Sequence, residues 1–191
     1  MSDSDCELME RLKDGDMSAF DLIVQRYKAS LINFAYRFVG DQETAEDLAQ
    51  ETFIRIYKNA GRYRSDMAEL RTWMYRIAAN LCKNELRSRS RRSKILVNTA
   101  IGNQNDPIAG VVDNGPGPDR QLEEKELQKV LTSAISSLPE KLRTALILRD
   151  IEGMAYDEIS QVIQKPVGTV KSRINRARLM LKDKMEAYVN S

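Results

Sequence analysis

Apolar positions along the chain recur at helical spacing. Phe20, Ile23, Tyr27, Leu31, Phe34 and Phe38 step by 3, 4, 4, 3 and 4, which places them on one face of an α-helix. Gly40-Asp41 ends that helix and offers a cap for the next. The second predicted helix, about residues 42–59, turns Ala45, Leu48, Ala49, Thr52 and Ile56 inward. On its other side Glu43, Asp47 and Glu51 recur every four residues, with Gln50 beside them, as an exposed carboxylate stripe. Ala60-Gly61 closes it, and the loop RYRSDMAE follows. A third helix is predicted from about Leu70 to Arg87 or a little beyond, with Leu70, Trp73, Ile77 and Leu81 inward. Arg76, Asn80, Lys83, Asn84, Arg87 and Arg91 form its polar face.

The same period returns later. Leu127, Val130, Ala134 and Leu138 make one stripe, and Pro139 can open the next helix because its missing N–H is not needed there. Leu142, Ala145 and Leu146 carry that helix to Arg149, and Gly153 stops it. A short helix, about residues 156–164, buries Ile159 and either Val162 or Ile163. Lys165-Pro166 turns the chain into a last helix with Val167, Val170, Ile174, Ala177 and Leu181 inward. No useful stretch alternates with period two, so the expected fold is all-α. Between the halves, Ile101 to Asp119 holds four of the nine glycines, three of the five prolines, three Asp and no Lys or Arg. That composition opposes regular structure and predicts a flexible linker. The expected organisation is two small helical domains, residues 1–95 and 120–191, joined by residues 96–119.

Composition removes most enzyme classes. The 191 residues, 42% hydrophobic and 30% charged, suit a soluble globular chain of one ordinary or two small domains. No apolar run reaches the roughly 18 residues of a membrane span, and the acidic start MSDSDCELME lacks a basic-then-apolar leader, so a cytoplasmic protein is expected. There is no histidine, which excludes Ser-His-Asp and Cys-His catalysis, zincin motifs and Cys₂His₂ fingers. Cys6 and Cys82 stand far apart with no CxxC, so neither a metal site nor a disulfide framework is expected. No cofactor is expected either.

The net charge of +2 conceals segregation. Asp41, Glu43, Glu46, Asp47 and Glu51 form an acidic block with no base among them. Lys83, Arg87, Arg89, Arg91, Arg92 and Lys94 stand against Glu85 alone, and the last helix is as basic. Basic surfaces track phosphate and acidic ones dock basic proteins, so two kinds of partner are implied. Two short helices joined by a tight turn, the second basic, make a helix-turn-helix. Its second helix carries Thr169, Ser172 and Arg176 on one line and Lys171, Asn175 and Arg178 on the next, side chains suited to a major groove. The Arg76, Asn80, Lys83, Asn84 and Arg87 face, with Arg62, Tyr63 and Arg64 in the loop before it, suits unpaired bases that stack and are held by charge. Trp73 is expected in the core, and Tyr63 can either pack or stack. Asp47 and Glu51 lie one turn apart, as acid/base pairs do, but on an exposed face with no pocket signal, so docking is favoured over catalysis.

These motifs carry a resemblance. Asp47-Leu48-Ala49-Gln50-Glu51-Thr52-Phe53 resembles the core-polymerase-binding motif of bacterial sigma factors. Thr72-Trp73-Met74-Tyr75-Arg76-Ile77-Ala78-Ala79-Asn80 resembles their promoter-melting and minus-ten segment. Leu138 to Arg143, with Gly153 to Arg178, resembles their minus-thirty-five domain, and the two-domain order resembles the extracytoplasmic-function class. The resemblance implies that Asp47, Gln50 and Glu51 dock on bacterial RNA polymerase core. It implies that Arg62, Tyr63, Arg64, Arg76, Asn80, Lys83 and Asn84 open the minus-ten element of promoter DNA. It assigns the minus-thirty-five element to Thr169, Lys171, Ser172, Arg173, Asn175, Arg176 and Arg178. An anti-sigma factor, often membrane-bound, a role in stress responses, and the absence of any small-molecule substrate are implied in the same way. The alternative is a helix-turn-helix regulator acting without polymerase, which leaves the Asp47 stripe and the Asn80 face unexplained. The chain departs from the family pattern at Asn175, where relatives often carry an aromatic or histidine, and at Ser65, often glycine. Ala155 stands where a hydroxyl usually caps the first helix of the motif.

Overall fold

A computed structural model describes the backbone of residues 3–99 and 119–189, and side chains over residues 3–93 and 127–186. The described residues form eight α-helices and no strand. The first, α1 (Asp5–Lys13), is set by a reciprocal cap: Ser4 Oγ accepts the Glu7 N–H at 3.3 Å while the Glu7 carboxylate accepts the Ser4 N–H at 2.7 Å. Its Leu8, Met9 and Leu12 are buried. Helix α2 (Met17–Val39) begins at Asp16, which accepts the Ser18 N–H at 2.9 Å. It ends at Gly40, whose φ of 79° is the left-handed conformation that glycine adopts without a Cβ penalty. Helix α3 (Gln42–Lys58) is capped by Asp41, whose carboxylate accepts the Thr44 N–H at 2.9 Å. A short 3₁₀ turn at Ala60–Arg62 leads through the loop to α4 (Leu70–Thr99).

Helix α4 differs from the expectation in two ways. It runs to Thr99, past Arg87 and into the segment expected to be linker. The pairs of Glu85 with Arg89 (2.9 Å) and Arg92 (3.0 Å) brace its far half. Its buried face is also rotated. Leu70, Met74, Tyr75, Ala78, Ala79 and Cys82 are buried, whereas Trp73 and Ile77 are only partly so. Small Ala and Cys share the core cluster with Phe34 and Phe38 of α2, and the Phe34 ring lies edge-on to Tyr75 at 5.3 Å.

Helix α5 (Asp119–Ser136) comes next in the described chain, and nearly all of the expected linker lies outside the described residues. Leu138 is buried as expected, but Leu127, also expected inward, is 56% exposed, and Ile135 holds a buried position that the stripe did not include. Helix α6 (Glu140–Leu146) starts after Pro139 and widens into a π turn, Ile147–Ile151. Then come α7 (Tyr156–Ile163) and α8 (Val167–Val189). The buried residues of the two halves form one continuous cluster, which includes Phe38 and Tyr75 from the first and Leu138 and Ile147 from the second.

Candidate nucleic-acid interface

The helix-turn-helix is built by its turn. Helix α7 ends at Gln164, whose φ of 53° is left-handed, and the Ser160 hydroxyl donates to the Lys165 carbonyl at 2.6 Å. The chain turns there, and α8 packs on α6 and α7, with Val170, Ile174 and Ala177 buried. Burial of that line leaves Lys171, Ser172, Asn175 and Arg176 exposed, with Thr169 and Arg173 half-buried. Ser172 spends its hydroxyl on the Thr169 carbonyl at 3.0 Å. The Lys171 ammonium lies 5.4 Å from the Tyr156 ring centre, and Arg149 lies 4.6 Å from the same ring. Arg178 is committed within the fold: its guanidinium donates twice to the Asp150 carboxylate, at 2.9 and 2.5 Å. That hydrogen bonding raises its pKa further. At the start of α7 only half of a capping box is present, because Glu158 accepts the Ala155 N–H at 2.5 Å and Ala155 has no oxygen to return.

The loop after α3 and the first turns of α4 enclose a cleft of about 270 Å³, lined by Arg62, Arg64, Met67, Trp73 and Arg76 among others. Such a volume, just under the roughly 300 Å³ at which ligand pockets begin, suits one small planar group. A second cleft of about 350 Å³ shares Arg62, Trp73 and Arg76 and adds Arg55, Asn59 and Asn80. Trp73 therefore sits at the junction of two cationic clefts, half-buried and packed against the edge of the core. Its support is Tyr63, which is buried, with ring centres 5.3 Å apart and the Lys13 ammonium 5.5 Å from the Tyr63 ring. Burial raises the Tyr63 pKa, so its phenol stays neutral. Of the other predicted minus-ten residues, Arg64 is exposed and paired with Asp66 at 3.1 Å, and Asn84 is exposed further along α4. Lys83 is half-buried. Its pKa is lowered, chiefly by burial, with Arg173 and Arg87 adding to the Glu140-opposed effect. Sequence reasoning missed Arg55, Asn59 and Met67, which topology alone brings to the clefts.

The acidic stripe lies on the outer side of α3. Asp47 and Gln50 are exposed, and Glu51, half-buried, pairs with Arg55 at 2.8 Å. Ile54 and Tyr57, 37% and 48% exposed, continue the helix surface with apolar area that the charge pattern hid. Among the described residues no three His, Cys, Asp or Glu side chains are placed to hold a metal ion. No helix among them is long and apolar enough to cross a membrane.

Residues 23–92 match the sigma-70 region 2 family and residues 128–181 match sigma-70, region 4. The chain is similar to the RNA polymerase sigma-H factor of Pseudomonas aeruginosa, 42% identical over 92% of this chain and 91% of that one. It is also similar to the ECF RNA polymerase sigma-E factor of Escherichia coli, 37% identical over 97% and 96%. In fold it resembles CnrH, solved in complex with the cytosolic domain of CnrY, with a TM-score of 0.71 and 23% identity over 97% of this chain and 99% of that one.

Proposed function

Because the chain belongs to the extracytoplasmic-function sigma factors of the sigma-70 family, we propose a division of labour among its faces. Asp47, Gln50 and Glu51 dock on core RNA polymerase. The clefts around Trp73, with Arg62, Arg64, Arg76 and Asn80, take unpaired minus-ten bases, and Lys83 and Asn84 extend that track. Tyr63 supports Trp73 from below. On α8, Thr169, Lys171, Ser172, Arg173, Asn175 and Arg176 read the minus-thirty-five duplex, and Arg178 holds the helix in place. The protein gives promoter choice to a polymerase that performs the chemistry, works in the cytoplasm, and needs no cofactor or catalysis of its own. Control by an anti-sigma factor, membrane-bound and tied to a stress signal, completes the reading. Control by an anti-sigma factor is supported by a structure similar in fold: the sigma factor RpoE was solved with the anti-sigma factor NepR from Bartonella quintana.

The observation that carries this reading is the pair of cationic clefts at Trp73, because a regulator that reads only duplex DNA has no use for a base-sized site built on the loop after α3 and the first turns of α4. The test is transcription by purified bacterial core polymerase on fragmented genomic DNA of the source organism, with and without the protein. New, discrete start sites that require it are expected. Specific duplex binding with no new starts would replace this reading with a free-standing regulator.

A further inference from the structure

The second cationic cleft holds more chemistry than phosphate binding needs. Its cations are Arg55, Arg62 and Arg76, and beside them stand two amides, Asn59 and Asn80. Guanidiniums serve phosphate, but an amide offers a donor and an acceptor together, which is what a base edge requires. At about 350 Å³ this cleft is larger than its neighbour of about 270 Å³, so it too has room for one planar group. Arg62, Trp73 and Arg76 line both clefts, so occupants of the two are neighbours along one strand.

Asn59 is fixed before any DNA arrives. It closes α3, and its backbone N–H and its side-chain Nδ2 both donate to the Arg55 carbonyl, at 3.1 and 2.9 Å. A carbonyl only accepts, so the amide nitrogen must face it, and Oδ1 remains an acceptor for an incoming group. Arg55 gives its Nε to Glu51 at 2.8 Å, which leaves its two terminal nitrogens for a phosphate. Asn80 is exposed on α4 and brings a second whole amide. Two acceptor oxygens offered to one base favour an exocyclic amino group, whose two hydrogens can serve both. Asparagine and adenine are the matched pair, through the adenine amino group and a ring nitrogen. Thymine carries carbonyl oxygens instead and sets acceptor against acceptor.

We infer that this cleft is a second base-reading subsite. While the cleft at Met67 takes one unpaired base, Asn59 and Asn80 take the adjoining one and select adenine over thymine, and Arg55 holds a phosphate beside it. The inference rests on the nucleic-acid reading of the clefts.

The test uses polymerase holoenzyme carrying the full-length chain and a protein-dependent promoter whose minus-ten region is randomised. Heparin-resistant open complexes are isolated and their DNA is sequenced. The wild type is expected to select at two adjacent unpaired positions, with adenine at one of them. Asn59→Ala removes one neutral hydrogen bond and should lower that adenine preference about 2- to 12-fold, with the adjoining position unchanged. Asn80→Ala, at an exposed helical position where alanine preserves the fold, should lower it at the same position. It decides the matter if Asn59→Ala, which also loses a helix cap, fails to fold by circular dichroism. Met67→Ala should weaken selection at the other position only. Selection at a single unpaired position, or amide variants that select as the wild type does or lose preference equally at both positions, would remove the second subsite. Thymine in place of adenine would remove the amide reading. No protein-dependent complex on any member of the library would remove the nucleic-acid reading of both clefts, and the inference with it.

Discussion

Arg176 and Arg178 sit one half-turn apart on α8 and are equally basic in sequence, yet their surroundings differ. Arg176 is exposed. Arg178 forms a bidentate pair with Asp150, with side chains 50% and 31% exposed, so the two together carry no net charge. Binding to B-DNA releases counterions in proportion to the phosphates neutralised, at about 0.9 in the salt slope per contact. If Arg176 is a phosphate contact, Arg176→Ala therefore lowers the slope by about 0.9. The affinity loss between 0.05 and 0.2 M salt, a fourfold range, then shrinks by 4 to the power 0.9, or about 3.5-fold. If Arg176 instead pairs with a guanine, the loss is about 1–3 kcal/mol, roughly 5- to 160-fold, and is confined to the cognate sequence. The double variant Asp150→Ala/Arg178→Ala removes a neutral pair and should leave the slope unchanged. Its cost to the fold is about 0.2–1 kcal/mol, the usual worth of an exposed pair. Arg178→Ala alone strips the mask from Asp150 and should weaken binding, and adding Asp150→Ala should restore it. The assay is a salt titration of polymerase holoenzyme on the promoters that the transcription experiment supplies. A double variant that loses as much slope as Arg176→Ala would show that Arg178 reaches phosphate, and the assignment of a structural role would fail.

Other perturbations follow from the same structure. Asp47→Ala with Glu51→Ala should weaken binding to core polymerase, measured by competition for core, with the helical circular-dichroism signal unchanged; equal core affinity would remove the docking stripe. Ala155→Ser should stabilise the protein by about 0.5–1 kcal/mol in urea melts, because the extended backbone of that residue (φ −69°, ψ 156°) already has N-cap geometry and Glu158 supplies the reciprocal half. Asp41→Ala should cost about 0.5–2 kcal/mol. The Asp41 pKa is depressed by its hydrogen bonds to Thr44, so its contribution is present above about pH 4 and disappears as pH falls through the depressed value; the penalty of the variant should shrink with it. Burial pushes the Cys82 thiol up to about 12, so iodoacetamide at pH 8 should alkylate exposed Cys6 only, with the second equivalent appearing on denaturation, as counted by mass spectrometry.

Much of the fold was legible because amphipathic helices announce themselves. The 3-4 steps from Phe20 to Phe38 place α2 close to its observed bounds, and those from Val167 to Leu181 fix the start of α8, which continues past Leu181 to Val189. The failures have physical causes. Helix α1 has only nine residues, mostly charged, and its one clear signal was the Ser4–Glu7 capping spacing. The buried face of α4 was displaced because Ala78, Ala79 and Cys82 are too small to stand out beside Trp73 and Ile77. The large residues drew attention to the side that lines the clefts. Of the candidate site, the residue types were readable and their company was not. Periodicity cannot show that Tyr63 lies under Trp73, or that Asp150 occupies Arg178 from 28 residues away.

The joining of the halves was hidden for a related reason. Arg143 reads in sequence as a polar position on a short helix, and only the end of α2 reveals what it answers. The last carbonyls of a helix have no partner within it; the Gly40 N–H covers that of Tyr36 at 2.7 Å, and the chain then turns away at Gly40. The guanidinium, with several donors in one plane, satisfies the Phe38 carbonyl and two carbonyls of its own half at once. An apolar residue at that place would leave three acceptors to water. A buried arginine also costs desolvation, and its Nε finds no partner. Arg143 therefore adds a polar pin to a seam that is otherwise apolar, since buried side chains of both halves share one cluster.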